Sequence, residues 1–311
     1  MRSIHVAAAL LSGMFAFGTS AYASIVAGDH FNLSPIGTQA TNYGNGVYTG
    51  NSALVGSGPA VTGFNAGTNW AGSTITDTYT TPASTGLSYT DPNGSVLPTS
   101  GGLVQYTGPS SASTALDRVT RSSNDATART AYYASALIDV GSFANTTDQG
   151  LVELKFGSSA YVQFGLRNKN AVVISAAGGS LNATQTAAAA TTSGSYAAGS
   201  THLLVLKILG QTGGNDAVSL FIDPTLSSVD SGTQLNVTGG LALLPDAGDK
   251  LGLIGFYGAR SLGASNSAYF DEVRVGTTWA DVVPEPSPAC LAIPAGASVL
   301  LLARRRRCTI A

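Results

Sequence analysis

The sequence predicts an all-β protein, built as an antiparallel β-sandwich, on three observations. Apolar and polar residues alternate with a period of two in a series of segments after residue 130. Turn-forming sequences such as Asn45-Gly46, Gly58-Pro59 and Asp91-Pro92-Asn93-Gly94 separate short apolar patches. No long segment shows the apolar stripe of an amphipathic helix. Short strands at this spacing, without helices between them, are typical of two packed antiparallel sheets.

The clearest strands lie in the second half of the chain. Leu151–Phe156 alternates, with Glu153 and Lys155 on its polar face, and the alternation resumes after Gly157-Ser158-Ser159. A three-residue loop between two such segments predicts a hairpin whose apolar faces coincide. His202–Leu209 is apolar on both faces, which favours a central strand. Further strands are predicted over 130–140, 171–175, 216–222, 251–257 and 269–275, with short strands and long loops over 24–130 and a loop over 176–200.

Residues 1–23 have the pattern of a secretory signal peptide. Arg2 supplies the positive start, Val6–Gly18 the apolar core, and Ala21-Tyr22-Ala23 the small-residue cleavage box. Cleavage by signal peptidase would leave Ser24 as the first residue of the exported chain. The alternative, an uncleaved anchor, would need a longer apolar core than this one to span a membrane comfortably.

A second targeting pattern lies at the C-terminus. It consists of Pro284-Glu285-Pro286, an apolar segment over about 288–303, and the basic stop Arg304-Arg305-Arg306-Arg307. The apolar segment is shorter than the ~20 residues of a stable membrane-spanning helix. Basic residues beside a span resist translocation and stay on the cytoplasmic side. The segment therefore predicts transient anchoring by a short hydrophobic helix, with a simple single-pass anchor as the alternative.

The order of these tail elements resembles the PEP-CTERM sorting signal of Gram-negative bacteria. In that family an integral-membrane exosortase recognises the tail and cleaves it near the Pro-Glu-Pro box. The resemblance covers residues 283–311, and the extension Cys308–Ala311 departs from the pattern. It implies that exosortase and signal peptidase are partners during export. It also implies a location at the cell surface or in the extracellular space.

Both ends therefore predict that residues 24–283 lie outside the inner membrane. The two cysteines, Cys290 and Cys308, both lie in the tail, so the exported part has no disulfide and no cysteine metal ligand. Ten basic and sixteen acidic side chains give this part a formal charge of −6. An acidic domain without a basic stripe argues against nucleic acid as a partner.

Three internal motifs carry a second resemblance. They are Gly67–Gly72 (GTNWAG), Asn215–Pro224 (NDAVSLFIDP) and Phe270–Val282 (FDEVRVGTTWADV). Together they resemble a LamG-like, concanavalin A-like jelly roll that often precedes PEP-CTERM tails. The resemblance spans residues 24–282 and implies two curved antiparallel sheets. Families with this fold include glycan-binding lectins and glycosidases, so the fold does not choose between binding and catalysis.

The sequence shows no pair of carboxylates on one strand face, which a glycosidase would need about 5–9.5 Å apart. No Glu-x-Asp run is present. Glu153 shares its predicted face only with Leu151 and Lys155. Glu272 and Arg274 form a same-face pair that is more typical of a solvated surface. Nucleophilic catalysis has no support either, because the exported part has no cysteine and no Gly-x-Ser-x-Gly sequence.

Asp271 is the most notable acidic residue. It alternates with Tyr269, Val273 and Val275 and is therefore predicted to point inward. It is either a catalytic acid or metal ligand, or a structural buried carboxylate satisfied by backbone N–H groups or by Trp279. The structural interpretation is favoured.

Other candidate ligands are sparse. His30 and His202 lie in distant regions and do not suggest a zinc site or a catalytic triad. Calcium is a candidate cofactor through Asn215-Asp216 or Asp91–Asn93, although ordinary turn formation by these residues is favoured. Aromatic side chains that could stack on sugar rings, to which no site is assigned, are Trp70, Tyr132, Tyr133 and Tyr257.

These observations predict an exported, exosortase-sorted protein of the cell surface or extracellular matrix. Its expected role is non-catalytic binding or structure, with a polysaccharide as ligand, no catalytic residue and no required cofactor. A glycoside hydrolase on a concanavalin A-like fold is the first alternative. A purely structural envelope protein without a ligand is the second.

Overall fold

The computed structural model shows two antiparallel sheets packed as a sandwich. The part of the chain that it describes forms eighteen strands and one short helix. This part comprises residues 25–29, 31, 33–34, 48–49, 52–53, 63–64, 68–72, 78–82, 86–97, 99, 102–107, 118–143, 149–158, 160–176, 190–192, 195–212, 214–244, 249–258 and 267–283.

The strands are short in the first third of the chain and longer after residue 118. In order they are β1 (Ala27–Asp29), β2 (Leu33–Ser34), β3 (Tyr48–Thr49), β4 (Ser52–Ala53), β5 (Ala71–Gly72), β6 (Thr78–Thr81), β7 (Val104–Thr107), β8 (Arg118–Ser122), β9 (Ala131–Val140), β10 (Gln149–Phe156), β11 (Ala160–Arg167), β12 (Asn170–Ala176), β13 (Ala190–Thr191), β14 (His202–Leu209), β15 (Ala217–Ile222), β16 (Thr233–Asn236), β17 (Leu251–Tyr257) and β18 (Ser267–Gly276). The helix α1 is Trp279–Val282.

Nine strands form one sheet and seven form the other. The nine-stranded sheet has the order β16-β15-β14-β9-β18-β7-β6-β4, and β1 also pairs with β18. The seven-stranded sheet has the order β13-β12-β11-β10-β17-β8-β5. Strands β2 and β3 make a separate parallel pair. The all-β class and the antiparallel, concanavalin A-like sandwich are confirmed.

The strands predicted in the second half of the chain are present. The hairpin β10–β11 pairs Leu154 with Val162 and Glu153 with Gln163, so the two apolar faces coincide as predicted. Strand β14 lies between β9 and β15, in the interior of its sheet. Strand β16 was not predicted, because its only apolar residue is Leu235 and it is held as an edge strand by pairing with β15.

An aromatic stack joins the two sheets. Trp70 lies against Phe256, with ring centroids 5.1 Å apart, and Phe256 lies against Phe270 at 4.8 Å. Phe31 contacts both Trp70 and Phe256. Phe256 belongs to β17 and Phe270 to β18, so each layer contributes a ring. Offset aromatic pairs add about 0.5–1.5 kcal/mol beyond the burial of their area.

A separate apolar cluster covers part of the outer face of the nine-stranded sheet. On that face Phe221 meets Trp279 of α1 edge-on, with ring centroids 5.3 Å apart. The buried members of the cluster are Tyr89, Leu97, Leu137, Leu203, Val205, Phe221, Leu226, Trp279, Val282 and Val283. The helix and the segments around residues 89–97 and 226 therefore close this part of the face.

Asp271 lies under this cover and is fully buried. Its Oδ2 accepts the backbone N–H of Leu87 at 2.9 Å, and its Oδ1 accepts that of Glu272 at 2.7 Å. The prediction that Asp271 points inward with Val273 and Val275 is wrong: a register shift between Asp271 and Arg274 places Asp271 opposite Leu137, on the side of the outer cluster, whereas Val273 and Val275 face the core. Burial and the neighbouring Glu272 carboxylate raise the pKa of Asp271 well above its usual range.

The expectation that Glu272 and Arg274 form a solvated surface pair is wrong. The pair exists, with Arg274 Nη2 donating to Glu272 Oε2 at 2.6 Å, but both side chains are buried. Strand β1 pairs with β18 at this point, with Gly28 opposite Arg274. The pairing with β1 and the local register shift enclose a stretch that looks amphipathic in the sequence.

The two targeting segments lie outside the described residues. This applies to residues 1–24, which include Ala21, Ala23 and Ser24. It also applies to residues 284–311, which include Pro284-Glu285-Pro286, the apolar segment and Arg304–Arg307. Among the residues that are described, no helix is long and apolar enough to cross a membrane.

Asp271→Ala is expected to lower the free energy of unfolding by about 2–6 kcal/mol. Two N–H groups, one buried and one partly buried, lose their acceptor, and each unsatisfied donor of this kind costs about 1–3 kcal/mol. Urea unfolding followed by tryptophan fluorescence measures the change. Ser227→Ala, an exposed position, is the control. A loss no larger than that of the control would show that the carboxylate does not hold this strand in place.

Candidate functional site

The outer face of the seven-stranded sheet carries polar side chains on neighbouring strands. On β10 and β11, Glu153 is paired with Gln163 and Lys155 with Tyr161. Because side chains alternate across a strand, these residues point away from the core side occupied by Leu154 and its neighbours. This surface, which also includes Arg118 of β8, is called the outer face below.

Glu153 connects three strands of the outer face. Its Oε2 accepts a hydrogen bond from Gln163 Nε2 at 2.9 Å, and its Oε1 accepts one from Arg118 Nη1 at 3.3 Å. Glu153 is 0% exposed, whereas the Arg118 side chain is 26% exposed. Arg118, Glu153 and Gln163 are called the Glu153 cluster. Glu153 and Gln163 are both buried, so Arg118 is the member of the cluster that solvent reaches, and the carboxylate orients its guanidinium.

Burial raises the pKa of Glu153, and the charge of Arg118, the hydrogen bond from Gln163 and the charge of Lys155 oppose the rise. The carboxylate is therefore held in an environment that disfavours its charge. Its two donors compensate for much of the lost hydration, since a buried charge persists only when it is paired and hydrogen-bonded.

Lys155 and Tyr161 form the next row along the outer face. The ammonium of Lys155 lies 5.3 Å from the centroid of the Tyr161 ring, within the range of a cation–π contact. Lys155 is partly exposed and Tyr161 is largely buried. An amine and a phenol, both able to exchange protons, are thus placed side by side next to the Glu153 cluster.

Gly255 allows close packing of the strands beside Glu153. It pairs with Glu153 on one side and with Thr120 on the other. A Cβ at this position would lie 2.8 Å from Thr120 Cγ2 and 2.9 Å from the carbonyl oxygen of Val119. Both distances are closer than real Cβ contacts, so a side chain here would push the strands apart.

Apolar residues flank the polar rows of the outer face. Leu151, Val172, Ile174 and Tyr257 form a small buried cluster there, distinct from the core between the sheets. Such an arrangement, in which a few polar groups converge beside an apolar patch, is common in ligand sites.

The outer face is basic although the chain as a whole is acidic. Its described charged residues are Arg118, Lys155 and Arg167 against one carboxylate, Glu153. The whole chain has a formal charge of −2. This local excess of positive charge favours an anionic ligand.

The loop residues proposed as calcium ligands are engaged in backbone hydrogen bonds. Asp91 accepts the N–H groups of Asn93 and Ser95 through Oδ1 and that of Leu226 through Oδ2. Asp216 Oδ2 accepts those of Leu243 and Leu244. Within the described part of the chain, no three His, Cys, Asp or Glu residues are placed to hold a metal ion.

The aromatic candidates are mostly buried. Trp70, Tyr132 and Tyr257 are enclosed, and Tyr133 alone among the four is partly exposed. His202 Nδ1 lies 2.8 Å from Asp223 Oδ2, away from the outer face of the other sheet. His30 lies outside the described residues.

No protein-family model matches the chain, and no curated protein matches it in sequence. Solved structures do resemble it. The endo-β-1,4-glucuronan lyase of the fungus Trichoderma reesei has 15% identity and a TM-score of 0.44, over 72% of this chain and 97% of that one. The alginate lyase Aly36B has 13% identity and a TM-score of 0.38, over 58% and 82%. The carbohydrate recognition domain of Emp46p has 10% identity and a TM-score of 0.37, over 56% and 82%.

These similarities correct one prediction. The chain was expected not to be an enzyme, and two polysaccharide lyases are among the structures that it resembles. The expectation came from searching single strands for paired carboxylates. The outer face instead assembles its groups across strands: Arg118 and Gln163 converge on Glu153 from both sides. The partial signal in the sequence was the polar face of 151–167, where Glu, Lys, Tyr and Gln alternate with apolar residues.

Glu153→Gln is expected to change how stability depends on pH. The folded pKa of Glu153 is raised, so its contribution is fully present below the unfolded value of about 4.3 and is lost as pH rises through the folded value. The Glu153→Gln variant has no ionisable group at this position, so it does not lose stability in this way. Its free energy of unfolding should therefore improve relative to that of wild type across the pH window that begins at about 4 and ends at the raised folded pKa.

Urea unfolding at several pH values in this window gives the difference curve. Ser227→Ala, at an exposed position without an ionisable group, is the control. A wild-type-to-Glu153→Gln difference that stays constant with pH would contradict a raised pKa at this site.

Proposed function

We propose that the chain binds and cleaves an acidic polysaccharide on the outer face of the seven-stranded sheet. The observation that carries the proposal is the placement of Lys155 and Tyr161 beside the Glu153 cluster. The rows run across paired strands, so an extended sugar chain can contact several of them. The excess of basic residues on this face supports a ligand that bears carboxylates.

The groups on this face suit β-elimination from a uronate. In that reaction a base removes the proton on C5, next to the carboxylate. The bond from C4 to the glycosidic oxygen breaks, a C4–C5 double bond forms, and the leaving oxygen takes a proton from an acid. Arg118, whose side chain is 26% exposed, would hold the carboxylate and stabilise the charge that develops on it, while the buried Gln163 keeps Glu153 in place. Lys155, in its neutral amine form after losing a proton to solvent, would accept the C5 proton, and Tyr161 would donate its phenolic proton to the leaving oxygen.

Glu153 has a positioning role in this proposal. Its carboxylate fixes Arg118 and Gln163 by two hydrogen bonds, and it is too enclosed to reach a substrate itself. A bound uronate then meets a guanidinium whose orientation is already set, which lowers the entropy cost of binding.

Hydrolysis is the second candidate, because the raised pKa of Glu153 is the property of a general acid in a glycoside hydrolase. It would need a second carboxylate about 5–9.5 Å away. The described residues of the outer face supply one carboxylate, so elimination is the better supported chemistry.

The cellular setting remains a proposal from the sequence alone. Export by a signal peptide, processing by exosortase at the Pro-Glu-Pro box and release at the cell surface agree with a substrate that is an extracellular polysaccharide. Transient membrane association would be limited to the tail that contains Arg304–Arg307.

Lys155→Ala and Tyr161→Phe are each expected to lower kcat/KM on alginate or polyglucuronate about 10²–10⁴-fold, the usual contribution of a positioned acid or base. The ultraviolet absorbance of the new double bond measures elimination. Lys169→Ala removes the same charge from the exposed β11–β12 turn and is the matched control.

The assay separates the two cleavage reactions. New reducing ends without the absorbance would support hydrolysis instead of elimination. If folded wild-type chain produced neither signal on either polymer, the proposal would be wrong.

The intact mass of the protein recovered from native cells tests the sorting proposal. Loss of Met1–Ala23 is expected in every strain, and loss of the segment after Pro286 only where exosortase is present. A C-terminus that is intact with and without exosortase would mean a plain membrane anchor.

A further inference from the structure

A polar row crosses the uncovered part of the nine-stranded sheet, on the side opposite to the other sheet. The register places Asn236 of β16 beside Ser219 of β15, Ser219 beside Lys207 of β14, and Lys207 beside Tyr133 of β9. Neighbouring strands are about 4.8 Å apart, so the four residues span roughly 14 Å. With Gln234 and Asp230 they are called the second polar row.

Hydrogen bonds hold these side chains in place. Ser219 Oγ donates to Asn236 Oδ1 at 2.6 Å, and Gln234 Nε2 donates to the same oxygen at 2.8 Å. Lys207 forms an ion pair with Asp230, and its ammonium lies 5.7 Å from the centroid of the Tyr133 ring. The row is therefore ordered before any ligand arrives, which lowers the entropy cost of binding.

The second polar row is open to solvent. Gln234 and Asn236 are exposed, and Ser219, Lys207 and Tyr133 are partly exposed. The internal hydrogen bonds leave Asn236 Nδ2 as a donor and Gln234 Oε1 as an acceptor at the surface. Each hydrogen bond on an exposed edge strand competes with water, so its net contribution to stability is small. The order of the row is thus better suited to recognition than to stability.

We propose that the second polar row binds an uncharged, extended polysaccharide chain of the β-1,4-glucan type. The amides and hydroxyls of the row offer donors and acceptors to the hydroxyl groups of a sugar. The ring of Tyr133 can pack against the C–H groups of the sugar ring. A β-1,4-linked chain repeats at close to the strand spacing, so successive sugars meet successive strands.

The charge of the second polar row favours a neutral ligand. Lys207 and Asp230 cancel, so the row has no net charge for a polyanion to meet. Among the described residues, the exposed large apolar side chains are Val96 and Val229, at 56% and 67%. Val229 is next to Asp230 and can contact a sugar ring, but one valine is too little for the apolar centre of a protein interface. A neutral polyhydroxyl chain fits these features.

This site is separate from the proposed cleavage site, which lies on the other sheet and is basic. Two binding surfaces on one chain raise the effective concentration of a polymer at each of them. The second polar row would hold the matrix while the outer face acts on an acidic polymer.

Affinity electrophoresis of the full chain in gels that contain hydroxyethylcellulose tests the proposal. Wild type should be retarded, and the double variant Gln234→Ala/Asn236→Ala should lose about tenfold in affinity. Thr233→Ala is the matched control, because Thr233 is exposed on the same strand but faces the other way. Retardation of that control should equal that of wild type.

Two further results keep this proposal distinct from the cleavage site. Lys155→Ala should bind hydroxyethylcellulose like wild type, and added salt should not weaken the binding, because no ion pair with the ligand is involved. Folded wild-type chain that is not retarded would overturn the proposal. So would a loss of affinity in Thr233→Ala as large as in the double variant.

Discussion

The pairing of β10 with β11 decides both faces of the seven-stranded sheet. Leu154 opposite Val162 commits one face to the core, and the same register sets Glu153 opposite Gln163 on the other. A slip by one residue would move the charged side chains into the sandwich, so the hydrophobic core itself enforces the arrangement of the polar rows. The geometry of the candidate site is therefore fixed by the packing of the core.

The two sheets use their outer faces differently. The nine-stranded sheet is partly covered by α1 and the segment around Tyr89 and Leu97, whose apolar side chains close over Phe221. The seven-stranded sheet keeps Glu153 buried but ion-paired, and Lys155 within reach of a ligand. A charge kept at such a position costs desolvation energy, which is the usual sign that orientation of its partners matters more than stability.

Electrostatics distinguish the two proposed surfaces. The chain is mildly acidic, so a basic outer face stands out against the rest of the protein. The second polar row is balanced by Lys207 and Asp230. In these two proposals one surface is suited to an acidic polymer and the other to a neutral one. The local charge of each surface, and not the net charge of the chain, determines which ligand that surface favours.

The sequence by itself determined the strands of the second half, their inward and outward faces, and the hairpin register, because a two-residue period is a local property. It also contains the two targeting patterns, which no part of the described structure tests. It did not determine that Glu272 and Arg274 are buried, because β1 and a shift in strand register enclose them. Nor could it show that Arg118 meets Glu153, since the two are 35 residues apart and join only through β17 between their strands. Cross-strand neighbours are chosen by sheet order, and sheet order is decided only when the whole core packs.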